Sequence, residues 1–198
     1  LPCFYVIFKI MNWFKSNNAK NLIEQEKSIV NKYIEDKFGY YALQLGDYFS
    51  DFLEQSRISK HIFNHGPLKN IFFDSLNMPF AEDSIDLIIC PHFLEQGYNK
   101  DIFNELFRVV IPGGNLIIIA FNPYSLAGIK NLFSFNMEFP WSSKFLTMAN
   151  IQYELKESGF SIVEAKIANY QPIILDSHHS FNTYLESIGN RWLPLFGN

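Results

Sequence analysis

The hydrophobic positions of this chain follow two kinds of pattern. Over residues 18–37, Leu22, Ile23, Ile29, Val30, Tyr33 and Ile34 recur at roughly helical spacing with Glu and Lys between them. That spacing predicts an amphipathic helix punctuated by Gly39. Residues 99–110 and 144–158 predict two more helices, the second stopped by Gly159. Elsewhere the apolar residues run together. SIDLIIC (84–90) and NLIIIAF (115–121) are almost unbroken, as parallel strands buried on both faces are. YYALQL (40–45), ISKHIFN (58–64) and NIFF (70–73) predict shorter strands, and residues 47–57 a short helix. FSIVEAKI (160–167) alternates like a strand near a sheet edge, Pro112-Gly113-Gly114 predicts a tight turn, and residues 180–190 predict a helix before WLPLFGN.

Strands alternating with helices around two central apolar runs predict an α/β fold with a doubly wound, mostly parallel sheet. Composition agrees: 198 residues suit one domain, and 48% hydrophobic against 18% charged residues allows a large core. The 21 phenylalanines read first as core filling. Residues 1–17 are expected to be a flexible tail and 18–198 a single domain. LPCFYVIFKI (1–10) is apolar but shorter than the roughly 20 residues a bilayer span needs, and it lacks the basic start and cleavage site of a secretory signal. No integral membrane segment is expected. A net charge of −4 argues against nucleic acid as a partner. Two cysteines, Cys3 and Cys90, do not make a disulfide framework and fit a reducing cytoplasm.

Three stretches together resemble the type 11 group of the class I S-adenosylmethionine (SAM)-dependent methyltransferases. DSLNMPFAEDSIDLIICPHFLEQ (74–96) is similar to D-x-x-x-L-P-F-x-x-x-S-F-D-hydrophobic-x-x-H-x-L-E-H, and NELFRVVIPGGNLIIIAF (104–121) to E-x-x-R-V-L-K-P-G-G-x-L-hydrophobic. QLGDYF (44–49) stands where that family has its glycine-rich loop. FNPYSLAGIKNLF (121–133) and YLESIGNRWLPLFG (184–197) resemble a small bacterial subset of the group. The likeness covers roughly residues 40–170.

The resemblance implies SAM as cofactor and a small-molecule methyl acceptor. It assigns cofactor contacts to Gly46 and Asp47 in the loop, to Asn64 at the end of the second strand, to Asp74, Ser75 and Leu76 after the third, and to Pro91 after the fourth. Asp74 matches the residue that meets the adenine amino group; its other reading is a carboxylate capping a turn. His92 either orients substrate or acts as a general base, its ordinary pKa lying near neutrality, or is a hydrogen-bonded structural histidine. Asn122, Tyr124 and Ser125 are candidates to line the acceptor pocket. Asp83 and Asp86 are expected to be structural, Asp86 pinning the loop before the fourth strand, and Glu95 to start the next helix. No metal is expected: His178-His179 has no Cys or carboxylate cluster at ligand spacing.

Two departures keep a second function open. The usual E/D-x-G-x-G-x-G is reduced to Gly46, and the acidic residue that holds the ribose is replaced by Asn64. A non-catalytic binding or regulatory protein with this fold is therefore the alternative. A nicotinamide-dependent dehydrogenase is weaker, since G-x-G-x-x-G is absent. The family ends its sheet with a seventh strand that no later segment here supplies. The expectation is a C-terminally truncated domain with an open edge beside NLIIIAF and a tendency to self-associate, unless residues 168–175 fold back as that strand.

Overall fold

In the computed structural model, residues 17–46, 50–64, 69–71, 73–96, 99–124 and 145–166 are described. Helix α1 (Asn17–Ile34) buries Leu22, Ile23, Val30 and Ile34, the apolar stripe of its sequence. Strands β1 (Tyr41–Gln44), β2 (Lys60–Phe63), β3 (Ile85–Pro91) and β4 (Val110–Ile119) form one sheet in the order β2-β1-β3-β4. All three pairings are parallel, with Leu43 beside both Ile62 and Ile88, and Ile88 beside Leu116. SIDLIIC therefore lies between YYALQL on one side and NLIIIAF on the other.

Helices cover both faces, so β3 has to be apolar along almost its whole length. On one face α1 packs with Ala42, Leu87 and Ile89, joined by Phe52, Leu53 and Phe121. On the other, α2 (Asp101–Val109) contributes Ile102, Phe103, Leu106 and Val109 against Leu43, Ile88 and Cys90. Helix α3 (Met148–Glu157), capped by the Thr147 hydroxyl accepting from the Asn150 N–H at 3.1 Å, adds Ile151 and Leu155 to this second face.

Four expectations are corrected. Residues 50–57 form turns rather than a helix, because side chains take the N–H groups a helix would use: Asp51 accepts from Leu53 N–H and Gln44 from Phe52 N–H. NIFF is no strand among its described residues. The Asn70 side chain caps the outer edge of β2, accepting from Phe63 N–H at 2.9 Å and donating to His61 O at 2.7 Å. Residues 160–166 also lie outside the sheet, with Val163 99% exposed, while Phe160 packs edge-on against Phe107 and Glu164 and Lys166 bond the Tyr33 hydroxyl. Pro112-Gly113-Gly114 falls inside β4 as a bulge, since Val110 pairs with Ile85 but Asn115 with Leu87.

Asp86 is structural but pins a different segment from the one expected. Its carboxylate accepts from the N–H groups of both Tyr40 and Tyr41 at 2.9 Å, fixing where β1 begins. The tail 1–16, the segment 168–175, the helix of 180–190 and WLPLFGN lie outside the described residues, and with them the question of a final strand.

Candidate functional site

The strand order dictates where a ligand crevice can open. From β1 the chain moves outward to β2, and from β3 it moves outward the other way to β4. Connections therefore diverge between β1 and β3, and the carboxyl ends of such a pair are the usual ligand position in open α/β sheets. Gly46 follows β1 there, and Pro91 and His92 lie at the end of β3.

Gly46 has φ +82°, and a Cβ on it would lie 2.5 Å from the Pro91 carbonyl oxygen and 2.8 Å from Phe93 Cβ. The two strand ends thus touch backbone to backbone, and only glycine fits both the dihedral and the space. Gln44, buried two residues earlier, fastens the loop that follows. Its amide donates to Ser50 O at 2.7 Å and its carbonyl accepts from Phe52 N–H at 2.9 Å. Gln44 occupies the acidic position of E/D-x-G, the one signal from which its role was readable.

At the end of β2, Asn64 is buried and bonds the chain beyond it. It donates to Phe73 O at 3.2 Å and Ser75 Oγ at 3.3 Å, and accepts from Phe73 N–H at 3.2 Å. Asn64 and Ser75 are therefore brought together, and they present the exposed turn of Asp74 and Leu76. The Asp74 carboxylate accepts from Leu76 N–H at 3.0 Å and the Asn77 amide at 3.1 Å, bonds that hold its pKa below the usual carboxylate value. Its turn-capping role is thus present in the structure. Leu76 is 37% exposed, whereas Met78 is buried in the core.

His92 is enclosed. It is 1% exposed, its Nε2–H points between both Glu26 oxygens at 3.1 Å, and Nδ1 lies 3.6 Å from Glu95 Oε1. The ring stacks on Phe121 at 4.2 Å, and Phe121 stacks on Phe145. Burial alone lowers the imidazole pKa, but the charge and hydrogen bond of Glu26, then those of Glu95, outweigh it and hold the group well above its ordinary value. The two carboxylates thus favour the protonated ring, and Nε2 and Nδ1 face Glu26 and Glu95 respectively. Glu95 lies in a 3-10 turn (Leu94–Gln96) rather than a helix, and its buried Oε1 accepts from Phe121 N–H at 2.6 Å. Glu26 gave no signal in the sequence, being one of two acidic residues on α1 with nothing to single it out.

The E-x-x-R and M-P-F blocks form one assembly. Arg108 donates to Phe80 O at 2.9 Å and Met78 O at 3.1 Å, and is paired with Glu105, which accepts from Met78 N–H at 2.6 Å. The arginine pairing holds the Glu105 pKa down. Asn122 Oδ1 accepts from Tyr124 N–H at 3.0 Å just past β4, and Tyr124 is 60% exposed. Asp47 and Ser125 lie outside the described residues, as do His178 and His179. Cys90 is a free, buried thiol whose pKa burial pushes up. Among the described residues there is no group of three His, Cys, Asp or Glu placed to hold a metal, and no helix long and apolar enough to cross a membrane.

Comparison with known proteins bears on the fold. The family described as "Methyltransferase domain", type 11, matches residues 32–118. The protein MJ0638 of Methanocaldococcus jannaschii, itself uncharacterised, is 29% identical over 168 residues, covering 80% of this chain and 71% of its own. Among solved structures, a chain of the complex between the Haloferax volcanii Trm112 methyltransferase activator and its methyltransferase superposes with a TM-score of 0.61 at 15% identity, covering 81% of this chain and 80% of that one. A Thermotoga maritima SAM-dependent methyltransferase gives 0.57 at 14% identity, covering 85% and 89%.

Proposed function

We propose, for a chain whose residues 32–118 match the type 11 methyltransferase domain and whose fold is that of the class I methyltransferases, that it transfers a methyl group from SAM to a small-molecule acceptor in the crevice between β1 and β3. The observation that carries this reading is Gly46. Its positive φ turns the chain sharply after β1, and its close approach to the Pro91 carbonyl, which leaves no room for a Cβ, brings the ends of β1 and β3 together at the edge where open α/β sheets bind ligands. The exposed Asp74–Leu76 turn, hung from β2 by Asn64 and Ser75, suits the adenine, with the Asp74 carboxylate as acceptor for an amino group. Asn64 acts through that turn, its amide being engaged with Phe73 and Ser75. Asp47 completes the loop after Gly46. Asn122, Tyr124 and Ser125, at the end of β4, are placed to meet the acceptor.

When bound, SAM supplies a methyl group activated on a sulfonium. The residues around it have only to align the acceptor and exclude water, since alignment is the main source of rate in such a displacement. That fits a site with no triad and with a histidine engaged internally. A cytoplasmic location agrees with the free Cys90.

The inward use of Asn64, with no acidic residue offered at that strand end, favours a second reading, a binding protein that keeps the fold without SAM. Isothermal titration of the full chain with SAM and S-adenosylhomocysteine separates the two. Saturable binding of both, weakened by Asp74→Ala, is the result expected; no heat with either ligand overturns methyl transfer.

A further inference from the structure

We propose that His92 is a positioning residue for the crevice, its side chain and backbone tying helix α1 to the ends of β3 and β4. The proposal rests on the site assigned above. His92 has φ +48°, a left-handed conformation unusual for a residue with a Cβ, which survives only where its surroundings impose it. The surroundings here are specific. The backbone N–H of His92 donates to Ile119 O at 2.9 Å, so the turn is fastened to the end of β4. The side chain is clamped by Glu26 from α1 and flanked by Glu95, whose other bond holds the N–H of Phe121. Phe121 in turn covers the imidazole face.

Two carboxylates and one imidazole at a strand end are a costly way to fill a core, since each ion loses its hydration. Phe121 and Phe145 show that aromatic packing was available at the same place. What this cluster does that packing cannot is fix direction. It holds the turn after Pro91 in one conformation, and the Pro91 carbonyl is the group against which Gly46 closes. His92 therefore sets the shape of the crevice without touching its contents. Among the described residues, Glu26, from α1, and Glu95, from the 3-10 turn, are charged groups that face it. With the ring neutral, the buried Glu95 and part-buried Glu26 carboxylates lose the charge between them and the turn is freed.

The test compares the full-length parent with Glu26→Gln and His92→Asn, Asn being tolerant of left-handed backbone. SAM affinity is measured across pH by titration calorimetry, at temperatures where circular dichroism shows each protein folded. The ring of His92 and the amide of Gly46 are followed by NMR without ligand. The expected result is that parent affinity falls as pH rises through the titration of His92, and that Glu26→Gln moves this fall to lower pH and weakens SAM about tenfold or more before it. His92→Asn should lose the pH dependence while keeping part of the affinity. Identical affinity profiles in parent and Glu26→Gln overturn the proposal. If the parent binds no SAM, the proposed function fails instead. The inference is then decided by whether the Gly46 amide shift follows the His92 titration, which supports it, or is indifferent to it, which overturns it.

Discussion

Replacing Gly46 by alanine tests the geometry of the crevice most directly. Two costs are separable. The left-handed dihedral, φ +82°, costs any residue with a Cβ about 1–2 kcal/mol. The second cost is steric. The new Cβ would sit 2.5 Å from the Pro91 carbonyl oxygen, and ordinary contact begins at 3.4 Å, so the turn after β3 must retreat by about 0.9 Å. The neighbours are backbone and a Cβ rather than the tip of a flexible side chain, so this should add about 1–3 kcal/mol, the usual cost of overpacking. Gly113 supplies the control. Its φ is +80°, but nothing lies within 4 Å of the position its Cβ would take. Gly113→Ala should show the dihedral cost alone, and Gly46→Ala about 2–5 kcal/mol in all. Urea unfolding of both variants beside the parent measures the difference, with SAM titration as a second readout. If Gly46→Ala costs no more than Gly113→Ala and leaves SAM affinity intact, the strand ends do not meet as described.

Four further outcomes are expected. Gln44→Glu restores the acidic residue of E/D-x-G, yet should destabilise the fold by about 1–3 kcal/mol, because a carboxylate cannot donate to Ser50 O; a stability equal to the parent's in denaturant unfolding would contradict this. Asn64→Asp should behave alike through the lost donor to Phe73 O, and unchanged stability would show that bond to be idle. Arg108→Met should cost about 1.5–3 kcal/mol, and because the Glu105 pKa is lowered on folding, the parent's advantage should be full above the unfolded carboxylate pKa and disappear as pH falls through the folded one. His92 has the opposite sign: its pKa is raised on folding, so its contribution is full below the unfolded value of 6.5 and is lost as pH rises through the folded one. Unfolding curves of His92→Phe should be flatter over that alkaline range than the parent's, and parallel curves would remove His92 as their source.

The sheet was legible in the sequence because continuous apolar runs have few other homes. LIIC is buried along its length, LIII on the outermost described strand is half-buried, and their parallel order follows from helix α2 between them. The short segments misled for a common reason. NIFF and residues 50–57 are decided by single polar side chains, Asn70, Asp51 and Gln44, that take backbone groups from across the fold. Periodicity carries no trace of such bonds. FSIVEAKI alternates well, but alternation describes only which side is apolar and not whether a partner covers it. At the site, Gly46 and Pro91 were readable because a glycine after a strand and a residue directly beyond the next one mark the crevice in any such sheet. The setting of His92 was not, because its decisive partner, Glu26, lies 66 residues away on a helix rich in charge.

The clamp between Arg108, Glu105 and residues 78–80 also bears on how this chain can change over evolutionary time. The two blocks look like separate signatures, yet each satisfies the other's hydrogen bonds. A recombinant that took residues 74–96 from one ancestor and 104–121 from another would inherit a loop without its fastening unless both parents kept the same pair. The two blocks are thus one mechanical unit, and a change in either has to be matched in the other.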